Sequence, residues 1–299
     1  SRRKDDAMEG KIIRGVGGFY YVHAEGKVYE CRAKGIFRKD GIRPLPGDLA
    51  EIAVLDETES KGNLERILPR KNALIRPAVA NVDQAMVIFA FESPKPNFNL
   101  LDRFLVTMEK NGIPPVILFN KKDLAREGQQ EEILRRYVNT GYTMLFVSAK
   151  RGEELWQVRT VLKGKTTTVA GPSGVGKSSL INRLQTAERL QTGEISEKIE
   201  RGRHTTRHTQ LLPVEENTYI LDTPGFSSIE LFDLRKEELG DLFPEIVSRA
   251  DGCRFAGCSH LTEPDCAVTE ALQRGEISEG RYENYRLFYE ELKNRKEFR

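Results

Sequence analysis

Gly171-Pro172-Ser173-Gly174-Val175-Gly176-Lys177-Ser178 has the form G-x-x-x-x-G-K-[ST]. It follows Thr166 to Ala170, a largely β-branched run that reads as a buried strand, and precedes Lys177 to Leu184, whose spacing predicts a helix. That context suits phosphate. The glycines let backbone N–H groups curl around phosphate oxygens, and the helix that follows offers its positive end. Lys177 is placed to reach the β and γ phosphates, and Ser178 to put its hydroxyl on Mg²⁺, an ion that keeps most of its waters. A glycine-rich turn that merely links strand to helix is the bland alternative, and the full motif in its full context disfavours it.

Outward from this loop, apolar strands alternate with helical stretches. Ala85 to Phe91, Pro115 to Phe119, Thr143 to Val147 and Thr218 to Leu221 read as buried strands; Leu100 to Asn111, Gln130 to Thr140 and Glu153 to Leu162 read as helices. The alternation predicts an α/β domain with a parallel sheet covered on both faces, its ligand at the C-terminal ends of the strands. Asp222-Thr223-Pro224-Gly225 follows one such strand, so the Asp222 carboxylate can hold Mg²⁺ through a water while the Gly225 N–H meets a γ-phosphate.

Asn120-Lys121-Lys122-Asp123 follows another strand and has the form N-K-x-D. A carboxylate at Asp123 accepts two hydrogen bonds from one edge of guanine, which adenine does not offer, so the wrong base leaves a charge unpaired. Asn120 is expected to brace the loop, the Lys121 stem to lie over the base, and Ser148-Ala149-Lys150 to contribute backbone donors. Taken singly, each piece reads equally well as an exposed polar turn; three compatible loops on one crevice favour GTP and GDP as ligands. Asn120 to Asp123 and Ser148 to Lys150 precede the phosphate loop, the reverse of the usual order. The helix Glu153 to Leu162 makes a short connection into the phosphate-loop strand, so the termini move while the fold stays. A glutamine often follows D-x-x-G to orient water, and here Phe226 stands in its place.

Before the α/β region, Lys11 to Val16, Phe19 to His23, Lys27 to Ala33, Asp48 to Val54 and Leu64 to Leu68 predict short strands separated by turn signals. A five-stranded barrel fits, the OB-fold being the commonest of that size, with an SH3-like barrel as the alternative. Arg32, Lys34, Arg38, Lys39 and Arg43 cluster with Phe37, a pattern suited to stacked, looped RNA or to a merely solvated surface. Beyond Leu231 a mainly helical region surrounds Cys253, Cys258, His260 and Cys266, spaced C-x4-C-x-H-x5-C. Three thiolates and an imidazole suit one structural, tetrahedral Zn²⁺. Cys31 stands alone on a barrel strand and reads as packing. In the last predicted helix, Arg281 to Phe298, the stripe Tyr282, Tyr285, Phe288 and Leu292 reads as a core face in preference to an RNA platform.

The 299 residues allow two or three domains, and 47 Lys and Arg against 45 Asp and Glu leave a formal charge of +2, so polyanion binding needs local patches. No run of about 18 apolar residues predicts a membrane span, and no secretory leader is evident, so a cytoplasmic protein without membrane partners is expected. Four cysteines, three of them beside one histidine, favour a metal over disulfides.

The combination of Asn120 to Asp123, Gly171 to Ser179, Gly202-Arg203-His204-Thr205-Thr206, Asp222 to Gly225 and the cysteine cluster resembles the circularly permuted small ribosomal subunit biogenesis GTPases of the RsgA family, from about Met8 onward. The resemblance implies a multidomain fold: an N-terminal OB-fold β-barrel, a central circularly permuted α/β P-loop GTPase domain and a C-terminal mainly helical zinc-binding domain. The corresponding divisions are 8–70, 71–230 and 231–299, and residues 1–7, charged and directly before Met8, read as a cloning scar outside the fold. It also implies GTP hydrolysis during late assembly of the small ribosomal subunit, rRNA binding and ribosome-stimulated turnover. His204 becomes the candidate catalytic, water-positioning residue in the absence of the glutamine. Thr205 or Thr206 would complete the Mg²⁺ shell, and Arg201, Arg203, Arg207 and His208 would meet phosphate or RNA or remain a solvated run. A monomer is expected. The rival readings are a GTPase of the large subunit or another RNA, and a nucleotide-gated RNA-binding module with negligible hydrolysis.

Overall fold

A computed structural model describes residues 7–33, 37, 43–74, 78–189, 209–222 and 234–295, with the side chains of 186–189 and 222 excluded. Contacts divide the chain into two compact units: Ser1–Ala85, Leu155–Val169 and Lys177–Phe226 form one, and Met86–Glu154, Ala170–Gly176 and Ser227–Arg299 the other. His204, Thr205, Thr206, Gly225 and Phe226, together with Lys34, Arg38, Lys39, Arg201, Arg203, Arg207 and His208, lie outside the described residues.

In the first unit β1 (Ala7–Val16), β2 (Phe19–Ala24), β3 (Lys27–Ala33), β4 (Leu49–Asp56) and β5 (Lys61–Ile67) close into a barrel in the order β1-β2-β3-β5-β4. Closure comes from a parallel β3–β5 pairing, Glu30 opposite Lys61, within an otherwise antiparallel set. The alternation of inward and outward residues puts Ile12, Val22, Tyr29, Cys31, Ala50, Ile52 and Leu64 into one core. Cys31 is fully buried, which pushes its thiol up to about 12 and fits the packing role. β1 begins at Ala7, which pairs with Ala53, so the barrel takes in the last residue of the expected scar. Phe37 differs from expectation: it is buried in the barrel core and has no face to offer a base.

The barrel's exit is pinned by charge. Asp48 is fully buried and receives Arg70 Nε at 2.7 Å and Nη2 at 2.8 Å, a two-pronged pair, together with the Leu45 N–H at 2.7 Å. Gly47 has φ +92°, and a Cβ there would lie 1.9 Å from the Ala80 carbonyl, so only glycine fits against β7 (Val79–Ala80), which pairs with β6 (Ala73–Leu74).

The α/β strands are β8 (Gln84–Ala90), β9 (Pro115–Asn120), β10 (Thr143–Phe146), β11 (Thr166–Ala170), β12 (Gln210–Glu215) and β13 (Thr218–Asp222), ordered β10-β9-β8-β11-β13-β12. β8, β9 and β11 are buried along their whole length, as strands covered on both faces must be. The sheet is not wholly parallel as expected. β12 runs antiparallel to β13 through a turn at Glu216-Asn217, where Asn217 has φ 54°. In the first unit, Arg159 of α3 (Leu155–Leu162) donates to Glu215 at 2.9 Å and to the Leu184 carbonyl of α4 (Lys177–Arg189) at 2.9 Å.

The second unit holds α1 (Phe98–Lys110), capped by the Asn97 side chain, and α2 (Gln129–Arg136), with α5 (Pro244–Ala250), α6 (Ala267–Gln273) and α7 (Glu279–Asn294) after the sheet. The stripe on α7 is a core face: Tyr285, Phe288 and Leu292 are buried with Leu239, Phe243, Ile246 and Val106, while Tyr282 packs partly buried beside them. Within this unit the fully buried Arg281 donates to Glu245 Oε1 at 2.7 Å and Asp102 Oδ1 at 2.7 Å, so α7 is tied to both α5 and α1. Tyr137 and Asn284 also donate to Asp102, and the guanidinium lies 4.5 Å from the Phe243 ring centre. Among the described residues, no helix is long and apolar enough to cross a membrane.

Candidate functional site

The phosphate loop leaves β11 through Gly171, whose φ of +137° and closeness to Ile88 exclude a side chain: a Cβ would lie 2.1 Å from the Ile88 carbonyl. Gly176, at φ +92°, is barred for a different reason. Its absent Cβ would sit 2.4 Å from Asn120 Nδ2, so the glycine makes room for the base-side loop to reach the phosphate side.

Asn120, at the end of β9, uses that room. Its Nδ2 donates to the Val175 carbonyl at 2.9 Å, while its Oδ1 accepts from the N–H groups of Lys121 at 2.8 Å and Ala149 at 3.0 Å. One buried amide thus joins the phosphate loop, the N-K-x-D loop and the Ser148-Ala149-Lys150 loop, using both of its polarities. Lys121 has φ 60°, and its Nζ donates to the Gly174 carbonyl at 2.8 Å and to the Ser93 carbonyl. The long stem therefore spans from one motif to the other.

Asp123 sits in a single 3-10 turn, Lys122–Leu124. Ser148 Oγ donates to its Oδ1 at 2.6 Å, and Arg151 Nε stands 4.0 Å from Oδ2. The Ser148 hydroxyl, against burial and with the nearby Arg151 and Lys150 charges, holds the Asp123 carboxyl below the usual aspartate range, so it is an anion at neutral pH. Ser148 is itself locked by the Arg151, Gly152 and Glu153 N–H groups, the first on its hydroxyl at 3.2 Å and the others on its carbonyl. One expectation is revised here. The Ala149 N–H is engaged by Asn120, so that amide braces the loop, and the Ser148 hydroxyl orients Asp123. Lys122 stands 4.0 Å from Glu154. Arg151 carried no expectation from the sequence, although a cation directly after Ser-Ala-Lys was a usable signal, and it stands near Asp123.

On the phosphate side, Lys177 opens α4, and burial lowers its ammonium pKa from the ordinary lysine value. Pro172 and Ser173 continue the loop; Ser178 and Ser179 are exposed in the first turn of α4, anchored by the buried Leu180, Ile181 and Leu184. Asp222 ends β13, as the strand-end reading requires.

The second cluster lies in the C-terminal region. Cys253, Cys258, His260 and Cys266 offer donor atoms that all fall within 4.8 Å of one another. Cys253 Sγ is 3.8 Å from Cys266 Sγ, and His260 Nδ1 is 3.5 Å from each of those two sulfurs. His260 adopts φ 57°, the left-handed region, to bring its ring inward. The loop is tied down by Glu263, which accepts from Ser259 N at 2.8 Å, Ser259 Oγ at 2.6 Å and Leu261 N at 3.1 Å. Burial pushes the Glu263 carboxyl up, but these donors outweigh it and hold it down to about 2. Tyr282 donates to the His260 carbonyl at 2.7 Å and Tyr285 to the Ser259 carbonyl at 2.8 Å, so α7 seats the loop with the polar ends of its core-facing stripe. The period of that stripe was legible in the sequence and the hydroxyl contacts were not.

On the barrel, Arg14 lies 5.0 Å from the Tyr21 ring centre and Arg32 5.1 Å from that of Phe19, a pair of cation–aromatic contacts across β1, β2 and β3. With Phe37 buried, these are the aromatic and basic groups that the described barrel pairs together.

Family comparison accords with this geometry. The RsgA GTPase family matches residues 67–232, and the RsgA N-terminal domain matches residues 9–61. A protein of Agathobacter rectalis named small ribosomal subunit biogenesis GTPase RsgA is 56% identical over 97% of this chain and 100% of its own length. One of the same name from Caldanaerobacter subterraneus subsp. tengcongensis is 48% identical over 98% and 99%. Among solved structures, YloQ, described as a circularly permuted GTPase, superposes with a TM-score of 0.80 at 38% identity and covers 99% of both chains. YjeQ from Thermotoga maritima does so with a TM-score of 0.80 at 36% identity, over 97% of this chain and 100% of its own. With its barrel, its reordered nucleotide motifs and its three-cysteine, one-histidine cluster, the chain belongs to the RsgA family of circularly permuted GTPases.

Proposed function

We propose that this chain binds GTP in the crevice braced by Asn120, hydrolyses it to GDP and phosphate, and does so in the late assembly of the small ribosomal subunit. The observation that carries the reading is the Asn120 amide, which bonds at once to the phosphate loop and to the two base-side loops. A nucleotide needs both ends held in fixed register, and this amide supplies the register. The ribosomal assignment is drawn from the relatives' name.

In this reading Asp123 accepts from the guanine edge, Lys121 backs the base, and Ser148, Ala149 and Lys150 shape its loop while Lys122 stays at the rim. Gly171, Pro172, Ser173, Gly174, Val175 and Gly176 present main-chain donors to the phosphates, with Lys177, Ser178 and Ser179 at the helix start. Ser178 and, through a water, Asp222 would hold Mg²⁺, which would supply positive charge beside the phosphates. Gly225 and either Thr205 or Thr206 meet the γ-phosphate side, and His204 positions water where Phe226 is unable to. Burial lowers the Lys177 pKa from the ordinary lysine value, and phosphate oxygens beside the ammonium would favour its charged form.

The four-residue cluster is assigned to one structural Zn²⁺. A zinc–sulfur length of about 2.3 Å at tetrahedral angles separates two sulfurs by about 3.8 Å, and a sulfur and an imidazole nitrogen by about 3.6 Å. The observed 3.8 Å and 3.5 Å match that donor set. The domain divisions follow: 8–70 binds rRNA, 71–230 hydrolyses GTP and 231–299 holds zinc. The protein acts in the cytoplasm as a monomer.

The deciding experiment is phosphate release from GTP and from ATP, with and without purified small ribosomal subunits. The reading expects GTP-specific turnover raised by the subunits. Equal use of ATP would remove the base assignment, and turnover indifferent to subunits would remove the partner. The apolar Phe226 favours one competing reading, a nucleotide-gated RNA-binding module, which multiple-turnover phosphate release above background would discard.

A further inference from the structure

β12 and β13 form a hairpin with chemically unequal ends. At one end Gln210 pairs with Asp222, and at the other Glu215 pairs with Thr218 beside the Asn217 turn. The sequence running through Gly202-Arg203-His204-Thr205-Thr206 leads into β12, and Thr223-Pro224-Gly225 leaves β13. Both segments assigned to the γ-phosphate are therefore attached to the same end of one hairpin.

The end near the turn is gripped by the barrel, inside a single compact unit. Lys11 of β1 and His23 of β2 are cross-strand partners. Thr166 of β11 and Tyr219 of β13 are partners in the sheet. The two pairs meet: Lys11 Nζ donates to Thr166 Oγ1 at 2.7 Å and lies 4.7 Å from the Tyr219 ring centre, and His23 Nδ1 is 2.8 Å from the Tyr219 hydroxyl. The His23 and Tyr219 rings stand edge to face at 80°. Tyr219 is 3% exposed. Burying an ammonium and an imidazole costs desolvation that aliphatic packing would avoid, and burial indeed lowers the pKa of both groups. What the polar contact adds over apolar packing is direction: one phenol is held by its edge and by its face. From Tyr219 to Asp222 is three residues of strand, about 10 Å at about 3.3 Å each.

We propose that Tyr219 is a positioning residue through which the barrel sets the β12–β13 hairpin, and with it the two γ-phosphate segments, so that docking of RNA on the barrel raises the hydrolysis rate. The inference rests on the proposed function, since it needs a barrel that docks on the subunit and switch segments that hydrolyse GTP. The coupled element is the hairpin, which carries a small rotation at its gripped end to the end that holds Asp222.

The test uses the full-length protein and compares phosphate release without and with small subunits, alongside GDP affinity and subunit co-sedimentation. Tyr219→Phe keeps the ring under Lys11 and removes the partner of His23. Wild type is expected to be stimulated, and the variant to keep its subunit-free turnover and both binding steps while its stimulation falls at least about fivefold, the low end of typical coupling between sites. His23→Phe should give the same loss, the double variant no more than either alone, and His23→Gln, which retains an amide for the phenol, should restore most of the stimulation. A merely structural role would instead move subunit-free turnover and GDP affinity together. If wild type is stimulated and Tyr219→Phe is stimulated equally, the coupling is overturned while the proposed function stands. If wild type itself shows no stimulation, the ribosomal partner in the proposed function falls and takes the coupling with it.

Discussion

Two buried polar clusters of the second unit, one centred on Asn120 and the other on Arg281, are built for opposite purposes. Asn120 is a neutral amide that bonds to main chain and leaves its neighbour Asp123 with one oxygen on Ser148 and the other 4.0 Å from Arg151. Arg281 is a full charge whose donors run to two carboxylates, with Tyr137 and Asn284 closing on the same Asp102. The first cluster holds a carboxylate ionised at the rim with capacity to spare. The second consumes its charges internally and joins α7 to α1 and α5. Spare polar capacity marks the site, and saturated capacity marks the scaffold.

The largest effect that sharpens this contrast comes from the cysteine–histidine loop, a scaffold whose saturation would depend on the proposed ion. If the proposed zinc is structural, a chelator is expected to loosen this loop and α7, because such sites supply an apparent binding energy of about 10 kcal/mol or more to local folding. Limited proteolysis should then cut first near Cys253 to Cys266, and unchanged resistance would count against a structural metal. Next in size, Arg281→Met should cost about 3–5 kcal/mol in denaturant unfolding, since it strands Asp102 and Glu245 as buried charges. Restoring stability by adding Asp102→Asn and Glu245→Gln would show that the loss was unpaired charge and not packing.

The same contrast explains what could be read from sequence. The nucleotide motifs were legible because each is a contiguous run whose glycines and polar residues act within a few positions, and Gly171 and Gly176 turned out to be needed where the motif put them. The Cys253 to Cys266 set was legible for the same reason. The Arg281 clamp was not, because its partners Asp102 and Glu245 lie 179 and 36 positions away and nothing local marks either as buried. β12 was missed because Pro213 interrupts a short run that only the hairpin turn at Asn217 explains. Phe37 was misplaced because a basic neighbourhood argues for a surface, while its ring is buried with the barrel core.

On the site side, Asp123→Asn exchanges an acceptor for a donor at the rim. Guanine nucleotide affinity should fall at least about a hundredfold, two charge-assisted bonds being worth about 1.5–3 kcal/mol each, and xanthine nucleotides should gain relative to guanine. Stability should hardly change, in contrast with Arg281→Met. The smallest effect is at His23, which faces Lys11, Tyr219 and, beyond Lys11, Asp83. Burial sets its folded pKa below the ordinary value of 6.5, so its contribution is fully present above pH 6.5 and is lost as pH falls from there through the folded pKa. His23→Gln should flatten that acid limb of the stability profile; an unaltered limb would assign it to other groups.

Calorimetric titration of the full-length protein with GDP and with ADP tests most directly whether Asp123 and the phosphate loop serve one guanine nucleotide. One GDP per chain, bound at least about a hundredfold more tightly than ADP, is the predicted result. ADP bound as tightly as GDP, or no nucleotide bound at all, would contradict it.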